Sequence, residues 1–263
     1  MELKELLRQH KITRFGVCAF RRIPRLLPCR AISRIPENAA SVIICAFDYY
    51  IAGTEHRNLS RYAIVPDYHA VVGTILKNAC SVLEQHFPGR FEPFVDNSPI
   101  PEVAAAAQAG LGVLGDNGLL ITPDAGSYVF LGEIVTDVEF PETGGEIGHC
   151  LHCGACRFHC PNHAIIENGI DRERCLSHIT QKKGELTEEE KTLIRRSGCA
   201  WGCDICQDIC PMNRRSFSTD LTEFSTFVVE NLSLSTVNDI FPGRAFSYRK
   251  PEVIQRNLRL LGP

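Results

Sequence analysis

Nowhere does this sequence hold the ~18 consecutive apolar residues that a membrane-spanning helix needs. The opening residues MELKELLRQHKITRFG also lack an apolar run followed by a small-residue cleavage site, which excludes a secretory signal. Together these absences predict a cytoplasmic protein with no membrane partner. A surplus of charge is missing too: 28 Lys and Arg stand against 31 Asp and Glu, for a net charge of −3. That balance supplies no global attraction to nucleic acid, although a local basic face can coexist with it. The basic residues gather near the ends, as Arg14, Arg21, Arg22, Arg25, Arg30 and Arg34, then as Arg244, Arg249, Lys250, Arg256 and Arg259. Such runs read first as solvated surface. No internal repeat is visible beyond one doubled cysteine motif.

Cysteine, by contrast, is abundant. Thiols stay reduced in the cytoplasm, so the 13 cysteines point to metal or catalysis rather than to a disulfide framework. Cys18, Cys29, Cys45 and Cys80 are scattered through the first part of the chain, and the rest crowd between residues 150 and 210. The chain divides there. A domain over residues 1–145, a bacterial-ferredoxin-like module over 146–215 and a short helical tail over 216–263 are expected.

The N-terminal domain reads as strands alternating with helices, which predicts an α/β or α+β arrangement and an α+β chain overall. LKELLRQ (3–9) is a short amphipathic helix, and ITRFGVCAF carries strand composition. SVIICAFDYY (41–50) is apolar almost throughout, as a buried strand is. Residues 67–87 repeat at helical spacing, 91–96 form a strand, 102–110 a helix ending at glycine, and 126–140 are strand-rich. Gly110, Gly112 and Gly115 match the dinucleotide fingerprint G-x-G-x-x-G. Its mechanism needs a strand before it and a helix N-terminus after it. An alanine-rich helix precedes it here and the turn Asp116-Asn117-Gly118 follows. A tight loop with close backbone approach is the better reading.

The chemistry lies in two runs, Cys150-x2-Cys153-x2-Cys156-x3-Cys160-Pro161 and Cys199-x3-Cys203-x2-Cys206-x3-Cys210-Pro211. Three thiolates at x2 spacing wrap a [4Fe-4S] cubane, and the fourth, before proline, reaches the other cluster. Paired C-x2-C motifs can also hold zinc, but two such runs in one small module favour clusters. Cluster one then takes Cys150, Cys153, Cys156 and Cys210. Cluster two takes Cys160, Cys203, Cys206 and one more, for which Cys175 and the off-register Cys199 compete.

FVDNSPIPEVAAAAQAGLGVLGDN, GSYVFLGEI, RCLSHITQKKG and GCDICQDICPMN, in that order, resemble the epoxyqueuosine reductases. The resemblance runs from about residue 41 to 213, with an echo in RKPEVIQRNLRLLG. It implies an iron–sulfur enzyme with base-off cobalamin that reduces epoxyqueuosine to queuosine in tRNA. Its clusters would be fed by a flavodoxin- or ferredoxin-type one-electron donor. It chooses Cys175 over Cys199 as the last ligand. It implies cofactor contacts at Arg30, Ser60, Asp96, Leu120, Leu131, Ser177, Gly202 and Asp204, and a proton donor at Asp96. Burial at the end of an apolar strand would raise the Asp96 pKa and suit it to that task. His69, at a helix start, reads as structural. The sequence departs from the family in its short start, in its end at residue 263 before a helical-repeat domain, and at Asp116, where a lysine commonly stands. A corrinoid reductase with another substrate and a two-cluster electron carrier are the competing readings.

Overall fold

Ser41–Asp48 is apolar almost without a break because, as strand β2, it is buried on both faces. Ile43, Cys45 and Phe47 enter one apolar cluster, while Val42, Ile44 and Ala46 enter another. The computed structural model describes residues 2–145, 148–167, 169–214 and 216–262. After α1 (Leu3–Gln9) comes β1 (Arg14–Ala19), which lies antiparallel to β2. A short turn of helix, α2 (Arg61–Ile64), leads to α3 (Tyr68–His86), β3 (Phe91–Phe94) and α4 (Glu102–Gln108). The hairpin strands β4 (Val113–Leu114) and β5 (Leu120–Ile121) precede the long β6 (Val129–Thr136).

The main sheet has the order β1-β2-β6-β3, and its pairings are antiparallel. That resolves the two sequence alternatives in favour of α+β. Pro93, which cannot donate to a ladder, sits in β3 at the sheet edge, where its missing N–H costs little. Helix α3 is capped by the Asp67 carboxylate, which accepts from the His69 N–H. Val72, Ile75, Leu76, Ala79, Cys80 and Leu83 form its buried stripe against one face of the sheet. Helix α4 covers the other face through Ala105, Ala106 and Ala109. The glycine fingerprint lies in the β4–β5 region, not before a helix. A Cβ on Gly112 would stand 2.4 Å from the Ile121 carbonyl oxygen, so close backbone approach explains that residue.

In the module, α5 (Ala155–His159) is followed by strands β7 (Ile165–Ile166) and β8 (Gly169–Ile170). Then come α6 (Leu176–Thr180), α7 (Glu188–Ser197) and α8 (Ile205–Asp208). A capping box, Thr187 with Glu190, starts α7, and Gly198 in the left-handed region ends it. Leu176, Ile179, Leu186 and Ile194 make a small core of their own.

Residues after 215 fold back on the rest. Phe224, Leu232, Val237, Phe246, Val253, Ile254 and Leu258 share the α3-side core with Trp201 of the module. Each such side chain contributes about 1.5–3 kcal/mol by leaving water. Buried Asn257, on α11 (Pro251–Leu261, after α9 at Thr222–Ser225 and α10 at Val237–Ile240), donates to the carbonyls of Thr180 and Ala200 at 2.7 and 2.8 Å. The C-terminal segment thus fastens the module to the N-terminal domain. Among the described residues no helix is long and apolar enough to cross a membrane.

Candidate active site and cluster module

Asp96 follows β3 on an exposed loop, with φ at 57° in the left-handed region. Aspartate tolerates that conformation better than most residues do. Two donors from the start of α3 meet its Oδ2: the Tyr68 hydroxyl, and His69 Nε2 at 3.0 Å. His69 Nδ1 faces Asp67 Oδ1 at 2.7 Å, so the imidazole bridges two carboxylates. Those hydrogen bonds, Asp67 first and Asp96 second, push the His69 pKa up to about 9, against partial burial. His69 is therefore an imidazolium at neutral pH. The burial expected for Asp96 is absent, since its side chain is 49% exposed. What surrounds Asp96 is a pair of donors, not an apolar pocket.

Two more acids lie behind it, Glu102 half-buried and Glu133 buried. Glu102, in the first turn of α4, accepts the Asp96 N–H at 3.2 Å. Glu133 of β6 points to the same face of the sheet and is fully buried. Burial first, and then the neighbouring carboxylates, push Glu102 up to about 7 and Glu133 well above the ordinary carboxylate range.

The cysteines sort into two groups. Cys210 lies close enough to Cys150 and Cys153, and Cys156 to Cys150 and Cys210, for their charges to add to burial in raising these thiols. The same residues, with Ile121, Leu151 and Met212, line a small cavity. In the second group, burial first, then Asp204, and after it the nearby Cys175 and Cys160 raise Cys203 and Cys206. Cys199 neighbours Cys203, but its Sγ donates to the Trp201 carbonyl at 3.2 Å. Asp116 lies beside the first group, where its Oδ1 meets His152 Nδ1 at 2.7 Å.

Ser60, Gly202 and Asp204 come together at the seam between domain and module. The Ser60 N–H donates to the Trp201 carbonyl at 2.9 Å, and the Arg61 N–H to Asp204 Oδ2 at 2.7 Å. Gly202, with φ at 78°, approaches so closely that a Cβ would stand 2.0 Å from Ser60 Oγ. Ser60 Oγ and Asp204 Oδ1 are buried without a hydrogen-bond partner, although buried polar atoms are seldom left so. Two orphaned polar atoms beside thiols of the second group suit a ligand rimmed with amides, as a corrin is. Ser177 is near, through Thr180 and Gln181. Leu120 and Leu131 are buried in the α4-side cluster. Arg30 is exposed and makes no hydrogen bond to Ser60, Gly202 or Asp204 among the described residues.

From the seam a chain of contacts runs back toward Asp96. The Tyr62 hydroxyl accepts from Trp201 Nε1 at 2.8 Å, and the Tyr248 hydroxyl bonds Gln181. Tyr248 lies near enough to Asp96 for the carboxylate to add to burial in raising the phenol. Sequence reasoning missed Tyr68, Glu102, Glu133 and Tyr248, and it read His69 as structural where the imidazole instead meets Asp96. One signal was available: Glu133 interrupts an otherwise apolar strand. Arg57 was missed as well; its Nη2 bridges Asp204 and Asp208 at 2.8 and 2.9 Å and ties the module to the domain.

Two family models match the chain. One, a 4Fe-4S double cluster binding domain, covers residues 149–213. The other, Epoxyqueuosine reductase QueG, DUF1730, covers residues 30–97. The epoxyqueuosine reductase of Synechocystis sp. is 36% identical over 246 residues, spanning 86% of this chain and 84% of the relative. That of Escherichia coli is 39% identical over 170 residues, 64% of this chain but only 44% of the relative. In fold, 98% of the chain matches 80% of an epoxyqueuosine reductase solved with a tRNA-Tyr epoxyqueuosine-modified stem loop, at a TM-score of 0.81 and 24% identity. A reductive dehalogenase whose structure suggests a mechanism for B12-dependent dehalogenation matches at a TM-score of 0.53 and 15% identity. It covers 98% of this chain and 35% of its own.

Proposed function

The chain belongs to the epoxyqueuosine reductase family, and we propose that it reduces epoxyqueuosine to queuosine in tRNA with two four-iron clusters and a base-off cobalamin. The observation that carries this reading is the hydrogen-bonded run from Tyr248, which feels the Asp96 charge, through Gln181 and Tyr62 to Trp201 at the seam. An acid and a reductant site share one region. Anaerobic conversion of an epoxyqueuosine-bearing stem loop tests it.

Cys150, Cys153, Cys156 and Cys210 hold one cluster, and Cys160, Cys175, Cys203 and Cys206 the other. An external one-electron donor of flavodoxin or ferredoxin type enters at the first, which stands beside exposed Leu151, Cys153 and Phe158. Ser60, Ser177, Gly202 and Asp204 would hold the cobalamin from the module side, with Leu120, Leu131 and Arg30 as further contacts. When bound, it supplies the strongly reducing centre that these side chains cannot provide. Ser60→Ala removes a hydroxyl that the fold leaves unpaired. Stability should therefore change little, while cobalamin binding, followed by its visible spectrum, weakens about fivefold.

Asp96 delivers protons. Its Oδ2 is held by Tyr68 and His69, which leaves Oδ1 to face the substrate oxygen. The proton on His69 Nε2 backs Asp96 and stays in place until pH rises through about 9. Because this pKa is raised from 6.5, the interaction is at full strength below that value and is lost as pH climbs through about 9. Single-turnover rates should fall over that upper range. His69→Gln should slow the reaction ~10-fold and abolish the fall near 9, as seen in a pH–rate profile.

A further inference from the structure

Glu133 presents an unsolved electrostatic problem. It lies in the middle of β6 at 0% exposure, and both carboxylate oxygens are buried without a hydrogen-bond partner. Burial without a cation strongly disfavours the charged form, so Glu133 is held as the neutral acid. Its neighbours offer no cation to relieve it. Glu102 comes from α4, Asp96 and Ser98 from the loop after β3, and the Cys45 thiol from β2. Tyr68 and the His69 imidazolium, from α3, are engaged with Asp96, and the imidazolium also acts on Glu102, though more weakly than burial does. The group facing Glu133 most closely is another carboxyl, Glu102. Two acids side by side in a dry interior cannot both ionise, and a proton between them satisfies one oxygen of each.

We propose that Glu102 and Glu133 hold one proton in common and pass it to Asp96, so that the site stores the second of the two protons its reaction consumes. This rests on the reductase reading given above. Removing an epoxide oxygen as water takes two electrons and two protons and leaves a carbon–carbon double bond. The electrons come from the external donor. The first proton leaves Asp96 Oδ1 as one carbon–oxygen bond breaks, giving an alcohol. The second must reach the same Asp96 before the other carbon–oxygen bond breaks and water departs. Glu102 is placed to supply it, because its Oε1 already contacts the Asp96 N–H at 3.2 Å. The Asp96 side chain needs only to swing toward it, or to meet it through one water. The pair takes up a proton from solvent as it hands one on, so the two carboxyls are not left ionised together.

Glu102 is pushed up to about 7, chiefly by burial. The pair accordingly gives up a first proton, from Glu102, as pH rises through about 7, a separate transition from the His69 one near 9.

Infrared spectroscopy and kinetics on the intact chain test this together. The parent should show the carbonyl stretch of a protonated, buried carboxylic acid that shifts in deuterium oxide. That band should weaken as pH rises through about 7. Glu133→Gln should remove it. Glu102→Gln should leave a Glu133 band that no longer weakens near pH 7, while the amide oxygen still accepts the Asp96 N–H, which separates proton supply from loop positioning. In single-turnover conversion of an epoxyqueuosine stem loop, Glu102→Gln should be ~10-fold or more slower below about pH 7, with the fall near 7 gone and the fall near 9 kept. Absence of the band in the parent, or a parental pH profile in Glu102→Gln, would overturn the shared store. A band in a parent that never converts the stem loop would instead overturn the reductase reading and leave the shared proton standing.

Discussion

Asp96→Asn should lower turnover about a thousandfold while both clusters and the cobalamin stay in place, a loss of ~4 kcal/mol in transition-state stabilisation. The amide keeps the shape of the carboxyl, and its oxygen can still accept from Tyr68 and His69. Asparagine also adopts the left-handed backbone that residue 96 requires, at φ 57°, as readily as aspartate does. Alanine does not, so Asp96→Ala would disturb the loop and the chemistry at once. The side chain is exposed and lies beyond the edge strand, so global stability should be nearly unchanged. Single-turnover kinetics beside iron and cobalamin analysis separates these outcomes. A variant as fast as the parent would remove Asp96 from the chemistry and shift the donor role to Glu102 or Tyr248.

Cys175→Ala should lose roughly half of the bound iron, because one open corner makes a cubane labile. Cys199→Ala should lose none. Cys175 is the N-cap residue of α6, where the extended backbone turns its thiol toward the Cys203–Cys206 side. Cys199 spends its thiol on the Trp201 carbonyl, and replacing it removes one weak hydrogen bond. Iron content and the spectrum of the reduced clusters distinguish the two variants. Equal iron in Cys175→Ala and the parent would hand the ligand position to Cys199.

The elements that sequence made plain are those fixed by local pattern. Cysteine spacing marked the module because a cubane fixes the reach between its ligands. The unbroken apolar run of β2 marked a strand covered on both faces, and the 3–4 spacing of Val72 to Leu83 marked α3. Asp96 itself was reached through its resemblance to a family motif; its surroundings were not. His69 meets Asp96 across 27 positions of chain, and Tyr248 reaches Gln181 across 67, distances over which no periodicity operates. The expectation of a buried Asp96 failed for a related reason. An apolar strand implies burial of the strand, but the left-handed turn at its end carries the next side chain outward. The role of the C-terminal segment was hidden too, since Phe224, Val237 and Phe246 are spaced irregularly and find their core only in three dimensions.

The most direct test is conversion of a tRNA stem loop carrying epoxyqueuosine, under anaerobic conditions with a one-electron donor. The protein would carry both clusters and cobalamin, and the nucleoside would be read by mass spectrometry. Loss of one oxygen to give queuosine, dependent on added cobalamin and absent in Asp96→Asn, is the expected result. Unchanged epoxyqueuosine from a protein whose clusters and cobalamin are fully loaded and demonstrably reduced would contradict the account.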